Sequence, residues 1–286
     1  MHLLLPFLIA CGGDASTDTS VATTDTGIGT ATGASTAPPN LPGYAQDCPV
    51  LEEGLNTLRI AGEERDVHIY LPANPEGAPV LFAWHYLGGE PVTFVDWFGI
   101  DDAARAEGAI VIAPKSRQIP GVEWDTYAGQ GSDDLKVFDA MLTCAWENWQ
   151  VDMDRVYSSG FSAGALWTVT LTQFRSKWLA AAAPVSGGAT QNSWSPGNAI
   201  PMMVTWGGPT DTYFTFSFED ASNELLGQLD AGGHFAVRCV HDQGHLPPLT
   251  GIDYIWDFFN AHPKGVDPLP WADGLPGSMP SMCDIP

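Results

Sequence analysis

The chain of 286 residues is predicted to fold as an α/β domain, with a mostly parallel central sheet and helices on both faces. Three observations carry that expectation. Short apolar runs at 80–85, 109–114, 156–161, 179–186 and 201–206 alternate with helix-compatible segments. The runs are apolar throughout rather than every second residue, as in strands covered on both faces by crossover helices. And the run at 156–161 passes through Gly160-Phe161-Ser162-Ala163-Gly164 directly into a helical stretch, a strand–turn–helix unit built around a serine.

In chain order, residues 1–11 (MHLLLPFLIAC) are apolar but too short to span a bilayer. They fit the hydrophobic region of a secretory signal, and Leu8-Ile9-Ala10-Cys11 resembles a bacterial lipobox with Cys11 as the lipidated residue. A Ser/Thr/Gly-rich stretch at 12–45 has almost nothing to bury and is expected to be a flexible tether. The folded domain is expected at 46–286. With 34 acidic against 11 basic residues, the net charge of −23 argues against nucleic acid and anionic lipid surfaces. Membrane contact is expected only through the lipid anchor. Beyond Cys11, Cys48, Cys144, Cys239 and Cys283 suggest two disulfides with the pairing open. No Cys-x-x-Cys pair points to zinc.

Residues 57–60 and 65–71 read as a hairpin, with Val67, Ile69 and Leu71 alternating with polar neighbours. The first buried strand, 80–85, ends in Tyr86-Leu87-Gly88-Gly89. One helix is expected over 94–106, and the strand 109–114 follows. A long loop, 115–131, leads to Ser132-Asp133-Asp134, which caps a helix running to Trp149. A helix at 218–229, a strand at 234–240 and an amphipathic helix at 251–261 complete the pattern. The Pro/Gly-rich tail after His262 is expected to be held only through Cys283.

A serine hydroxyl is a weak nucleophile and needs a base within hydrogen-bond reach. Glycines at 160 and 164 permit the strained turn that would expose Ser162. Four histidines follow it: His234, His241, His245 and His262. His245 sits in the Gly-containing loop Asp242-Gln243-Gly244-His245-Leu246-Pro247 after the last strand, where a base belongs. His234 and His241 border the strand, and His262 ends the last helix. The acid is expected after the strand ending at Trp206, as Asp211; Glu219 and Asp220 suit an ordinary capping role. His241 and His245 flank Asp242 at metal-like spacing, but the glycine and prolines there preclude a helix, so no metal is expected. An oxyanion hole needs two backbone N–H groups, assigned to Ala163 and to Tyr86 or Leu87. Trp124, Trp194 and Tyr213 lie in loops and are expected on the substrate surface.

The chain resembles the α/β-hydrolases, and among them the secreted polyhydroxybutyrate depolymerases and feruloyl esterases. The resemblance spans roughly 55–262. It rests on the approach to the first core strand at 65–72, His85-Tyr86-Leu87-Gly88-Gly89, Asp133-Asp134, Val151-Asp152-Met153-Asp154-Arg155-Val156-Tyr157 feeding the Gly-x-Ser-x-Gly turn, Ala183-Pro184-Val185-Ser186-Gly187, Asp211 and His245. It implies an exported, cofactor-free, monomeric serine esterase with Ser162 as nucleophile, His245 as base and Asp211 as acid. The implied substrate is a polyester or an acylated polysaccharide. This chain has His85-Tyr86 where the family usually has His-Gly. It also has one residue more than the family's usual spacing before Asp211. Two rival readings are a peptidase on the same fold and a non-catalytic carbohydrate-binding surface lipoprotein.

Overall fold

A computed structural model of the protein describes residues 39–190, 194–249 and 251–286. The expected signal segment, Cys11 and the tether as far as Pro38 lie outside the described residues. The antiparallel hairpin β1 (Gly54–Ile60) and β2 (Glu63–Tyr70) opens the domain. There follow β3 (Val80–Trp84), α1 (Pro91–Phe98), α2 (Ile100–Glu107), β4 (Ile110–Pro114), α3 (Asp133–Trp149), β5 (Val156–Phe161), α4 (Ala163–Arg175), β6 (Ala181–Val185) and β7 (Met202–Trp206). A small ribbon, β8 (Thr212–Tyr213) and β9 (Phe216–Ser217), precedes α5 (Phe218–Ala231), β10 (Ala236–Val240), α6 (Asp253–Ala261) and β11 (Cys283–Asp284).

Nine strands form one sheet in the order β1-β2-β4-β3-β5-β6-β7-β10-β11. The six from β4 to β10 run parallel, and the flanking pairings are antiparallel. The pleat divides the core. Val80, Phe82 and Trp84 of β3 face the layer that α3, α4 and α5 fill with Phe138, Trp167 and Leu225. Leu81 and Ala83 face the opposite layer, filled by Phe94 of α1, Ala104 of α2 and Phe258 and Phe259 of α6. A fully apolar strand sequence is what burial of both faces requires. Among the described residues, no helix is long and apolar enough to cross a membrane.

Three expectations are corrected. The single helix at 94–106 is two, because Gly99 adopts a left-handed conformation (φ 63°) that caps α1 and leads into α2. The tether's last part, 39–45, is docked on the domain. Trp178 Nε1 donates to the Asn40 carbonyl (2.8 Å), the Gly43 amide to Thr143 Oγ1 (3.1 Å) and the Tyr44 hydroxyl to the Arg59 carbonyl (3.0 Å). The C-terminal tail is held by far more than Cys283. It supplies β11, an Arg238–Asp284 ion pair and the buried Met279, and Trp271 packs on Phe258 and His262. The disulfides join Cys48 to Cys144 and Cys239 to Cys283, tying the N-terminal segment to α3 and β10 to β11.

Candidate active site

The turn between β5 and α4 holds Ser162 at φ 56°, ψ −119°, a backbone conformation that side chains rarely adopt. The glycines on either side are fixed by contact. A Cβ at Gly160 would sit 2.5 Å from the Gly164 backbone, and one at Gly164 would sit 1.9 Å from the Trp84 carbonyl oxygen. The turn is thus wedged against the end of β3, and only glycine lets the backbones approach so closely. The Ser162 amide donates to the Val185 carbonyl (3.0 Å), tethering the turn to β6.

His245 Nε2 lies 2.9 Å from Ser162 Oγ, and its Nδ1 lies 2.7 Å from Asp211 Oδ1. Asp211 is fully buried, and its Oδ2 accepts from the Ser186 hydroxyl and the Gly207 amide, both at 2.7 Å. The segment before Asp211 forms one 3-10 turn, Gly208–Thr210, closed by the Asp211 amide on the Gly208 carbonyl (3.0 Å). The acid and histidine loops pack backbone on backbone. The Gly244 amide donates to the Gly207 carbonyl (2.9 Å), and a Cβ on Gly207 would meet the Gly244 oxygen at 1.8 Å. The imidazole of His245 is sandwiched between Phe161 and Phe218, with ring centroids at 4.9 and 4.4 Å. Two aromatic faces therefore fix the ring plane, and the carboxylate fixes its rotation.

The other histidines are engaged elsewhere. His234 accepts from the Ile200 amide (3.2 Å), His241 Nδ1 accepts from the Gln243 amide (3.3 Å), and His262 contacts the Phe258 carbonyl (2.7 Å). Burial pushes all three imidazoles below their ordinary value. Among the described residues, no cluster of His, Cys, Asp or Glu could hold a metal ion.

The β3–α1 turn comes next to Ser162. Leu87 lines a cavity of about 150 Å³ that also takes in Ser162 and Ala163. Among the described residues, the amides of Tyr86, Leu87 and Ala163 all lack a hydrogen-bond partner, and of the three only Leu87 and Ala163 line the cavity. The Tyr86 ring packs edge-on against Phe94, Trp97 and Phe161, away from the cavity. The cavity is walled by Val122, Tyr127, Leu166, Tyr213, Phe216 and Phe218, and carries no charged side chain.

Two of the three aromatics expected on the substrate surface are core residues. Trp124 is fully buried, edge-on to Trp84 and stacked on Trp167, and its Nε1 donates to the His85 carbonyl (2.8 Å). Trp194 is also buried, its Nε1 shared between the Val169 carbonyl and Thr172 Oγ1, both at 3.1 Å. A large indole in a loop gains more from burial with its N–H satisfied than from exposure. Tyr213 lies on the cavity wall and is 47% exposed. The sequence reading missed Ser186, Phe161 and Phe218 around the triad-like group, and Phe216 and Tyr127 on the wall. It also missed Glu123, a buried carboxylate in the 115–131 loop that only the fold brings to the β3–α1 turn.

No protein-family profile matches the chain. A bifunctional acetylxylan esterase/xylanase of Neocallimastix patriciarum is 25% identical, over 70% of this chain and 34% of that protein. An oxidized polyvinyl alcohol hydrolase of Sphingopyxis is 24% identical over 52% of this chain and 53% of its own length. Feruloyl esterase C of Emericella nidulans is 26% identical over 78% of this chain and 92% of its own. The chain thus spans about a third and about half of the first two relatives. Among solved structures, native sOPH superposes with a TM-score of 0.68 at 19% identity, covering 83% of this chain and 95% of that one. An acetyl xylan esterase from Aspergillus awamori gives 0.57 at 17% identity, covering 72% and 99%. The strand order, the serine turn and these superpositions give the chain the α/β-hydrolase fold, and the curated relatives it resembles in sequence are esterases.

Proposed function

We propose that the protein is a serine esterase that cleaves carboxylic esters through an acyl-enzyme. The observation that carries this is the continuous hydrogen-bonded line Ser162 Oγ, His245 Nε2, His245 Nδ1, Asp211 Oδ1, at 2.9 and 2.7 Å. Ser162 gives its proton to His245 Nε2 as Oγ attacks the ester carbonyl carbon, and Asp211 stabilises the imidazolium through Nδ1–H. The negative charge that develops on the carbonyl oxygen is met by the Leu87 and Ala163 amides, which have no other partner among the described residues. His245 then passes its proton to the departing alkoxide. Water, deprotonated by the same imidazole, releases the acid and restores Ser162.

The substrate reading follows from the wall. An apolar, aromatic cavity of about 150 Å³ without charge fits a neutral acyl group. A polyester such as polyhydroxybutyrate, or feruloyl or acetyl esters on polysaccharide, would supply one. The named relatives include feruloyl and acetylxylan esterases. Two disulfides fit an oxidising compartment, and Cys11 would anchor the exported chain to a membrane by lipid. The test is an ester panel of p-nitrophenyl acetate and butyrate, methyl ferulate, acetylated xylan and hydroxybutyrate oligomers, with a peptide amide alongside. Hydrolysis of at least one ester, lost in Ser162→Ala while the circular dichroism spectrum is kept, is the expected result. Turnover undiminished in Ser162→Ala refutes the mechanism, and cleavage of the amide alone favours a peptidase.

A further inference from the structure

Among the described residues, Glu123 is the one carboxylate buried beside the β3–α1 turn, 3% exposed and held in the left-handed region at φ 64°. A carboxylate is costly to bury without hydrogen bonds and is therefore found where donors converge. Here the donors are the Gly88 amide, 2.9 Å from Oε2, and the Ser116 hydroxyl on Oε1. The same loop grips the turn twice more: Trp124 Nε1–H donates to the His85 carbonyl (2.8 Å), and the Ser116 amide donates to His85 Nε2 (3.2 Å). His85 has its Nδ1 within 2.9 Å of the Tyr86 carbonyl, which also accepts from the Gly89 amide at 2.9 Å. With Nε2 accepting, the proton sits on Nδ1, and burial pushes this imidazole below its ordinary value in keeping with a neutral ring.

Three successive peptide planes are held in this way. The His85–Tyr86 plane is held through its oxygen by Trp124. The Tyr86–Leu87 plane, which bears the Leu87 N–H, is held through its oxygen by Gly89 and His85. The Leu87–Gly88 plane is held through its N–H by Glu123. Removing the last leaves the residue that carries the free N–H fixed on one side only. We infer that Glu123 is a positioning residue that holds the Leu87 amide at the serine, an inference that rests on the esterase reading above. Glu123 does not touch the substrate; it acts through Gly88.

The experiment compares Glu123→Leu, which keeps the size and removes both acceptors, with Glu123→Gln, whose oxygen can still accept from Gly88. Hydrolysis of p-nitrophenyl butyrate and hydrogen–deuterium exchange of the segment 85–89 are followed in the full chain. The expected result in Glu123→Leu is kcat down about 10- to 100-fold with KM within about twofold, because an oxyanion donor serves the transition state more than the ground state. Affinity for a boronic acid, which forms a tetrahedral adduct on Ser162, should fall by a matching factor. Exchange at 85–89 should quicken, and Glu123→Gln should recover most of all three. A Glu123→Leu protein with unchanged exchange at 85–89 overturns the inference, as does unchanged kcat in an enzyme whose wild type is active. If the wild type hydrolyses no ester, the esterase reading falls on that arm, and the exchange arm still decides whether Glu123 holds the turn.

Discussion

Asp211→Asn should silence the enzyme without unfolding it, and the direction of the amide can be worked out from its neighbours. Asp211 Oδ2 accepts from the Gly207 amide at 2.7 Å, a backbone donor that cannot reverse. An asparagine must therefore turn its oxygen to Gly207 and its NH2 toward His245. The imidazole can meet an NH2 only with a lone pair on Nδ1, which moves its proton to Nε2, facing Ser162. A ring protonated on that side cannot accept the serine proton. In serine hydrolases with the same geometry, this wrong tautomer costs about 10⁴-fold in kcat, equivalent to about 5.5 kcal/mol. The second acceptor bond, from the Ser186 hydroxyl, adapts by rotation, so stability should change far less than rate. The assay is kcat for p-nitrophenyl butyrate at neutral pH, beside a thermal melt. An Asp211→Asn protein that keeps more than about a tenth of wild-type kcat would refute the reasoning. It would point to Glu219, whose Glu219→Gln variant should otherwise stay active.

Two further outcomes follow from buried groups and covalent links. His68, His85, His234, His241 and His262 all lie below the ordinary value of 6.5 in the folded protein, with burial as the leading cause. The unfolded chain then binds more protons, so their contribution to stability is complete above 6.5 and is lost as pH falls through each folded value. Relief of repulsion among the 34 acidic residues opposes this at low salt, so melts in about 1 M salt, where that repulsion is screened, isolate the histidines. The melting midpoint should drop on acidification from about pH 7.5 to about pH 5, and a level or rising midpoint would contradict the assignment. The Cys48–Cys144 bridge closes a sequence separation of 96 residues and Cys239–Cys283 one of 44. Chain-entropy arguments give about 4.7 and about 4 kcal/mol, and measured losses commonly run about 2–5. Cys144→Ser should lower stability in chemical denaturation by that order; a reductant that leaves the wild-type midpoint unmoved would show that the bridges carry no such load.

The α/β order was legible because its signals are local. A run such as Val80-Leu81-Phe82-Ala83-Trp84 has only one comfortable place, between two layers, and the structure puts its residues alternately into each. That Ser162, Asp211 and His245 meet was legible because each ends a strand or follows one closely. Parallel strands bring their carboxyl ends to one edge of the sheet. What could not be read is what depends on packing across loops. Nothing in the sequence around Trp124 or Trp194 distinguishes a loop indole that faces solvent from one that turns inward, and both turn inward to satisfy their N–H groups. The break at Gly99 was hidden because the helical periodicity resumes after it. Docking of Asn40 and Tyr44 was hidden because it uses single hydrogen bonds to partners distant in sequence.

Tyr86 shows how the β3–α1 turn accommodates a large side chain. The tyrosine ring leaves the turn altogether and fills a gap between α1 and Phe161. What then holds the turn is the 115–131 loop, through Ser116, Glu123 and Trp124. That loop is itself anchored at its far end by Asp134, whose carboxylate pairs with the buried Arg65 (2.7 Å) and accepts from the Asp125 amide (2.8 Å). Its middle also supplies Val122 and Tyr127 to the wall of the cavity. One loop thus carries both part of the wall proposed to meet the acyl group and the carboxylate proposed to steady the oxyanion donor. A change in its length or sequence that widens the cavity therefore also loosens the turn. In the proposed esterase, acyl preference and turnover would then change together, even when no residue of the Ser162–His245–Asp211 line is altered.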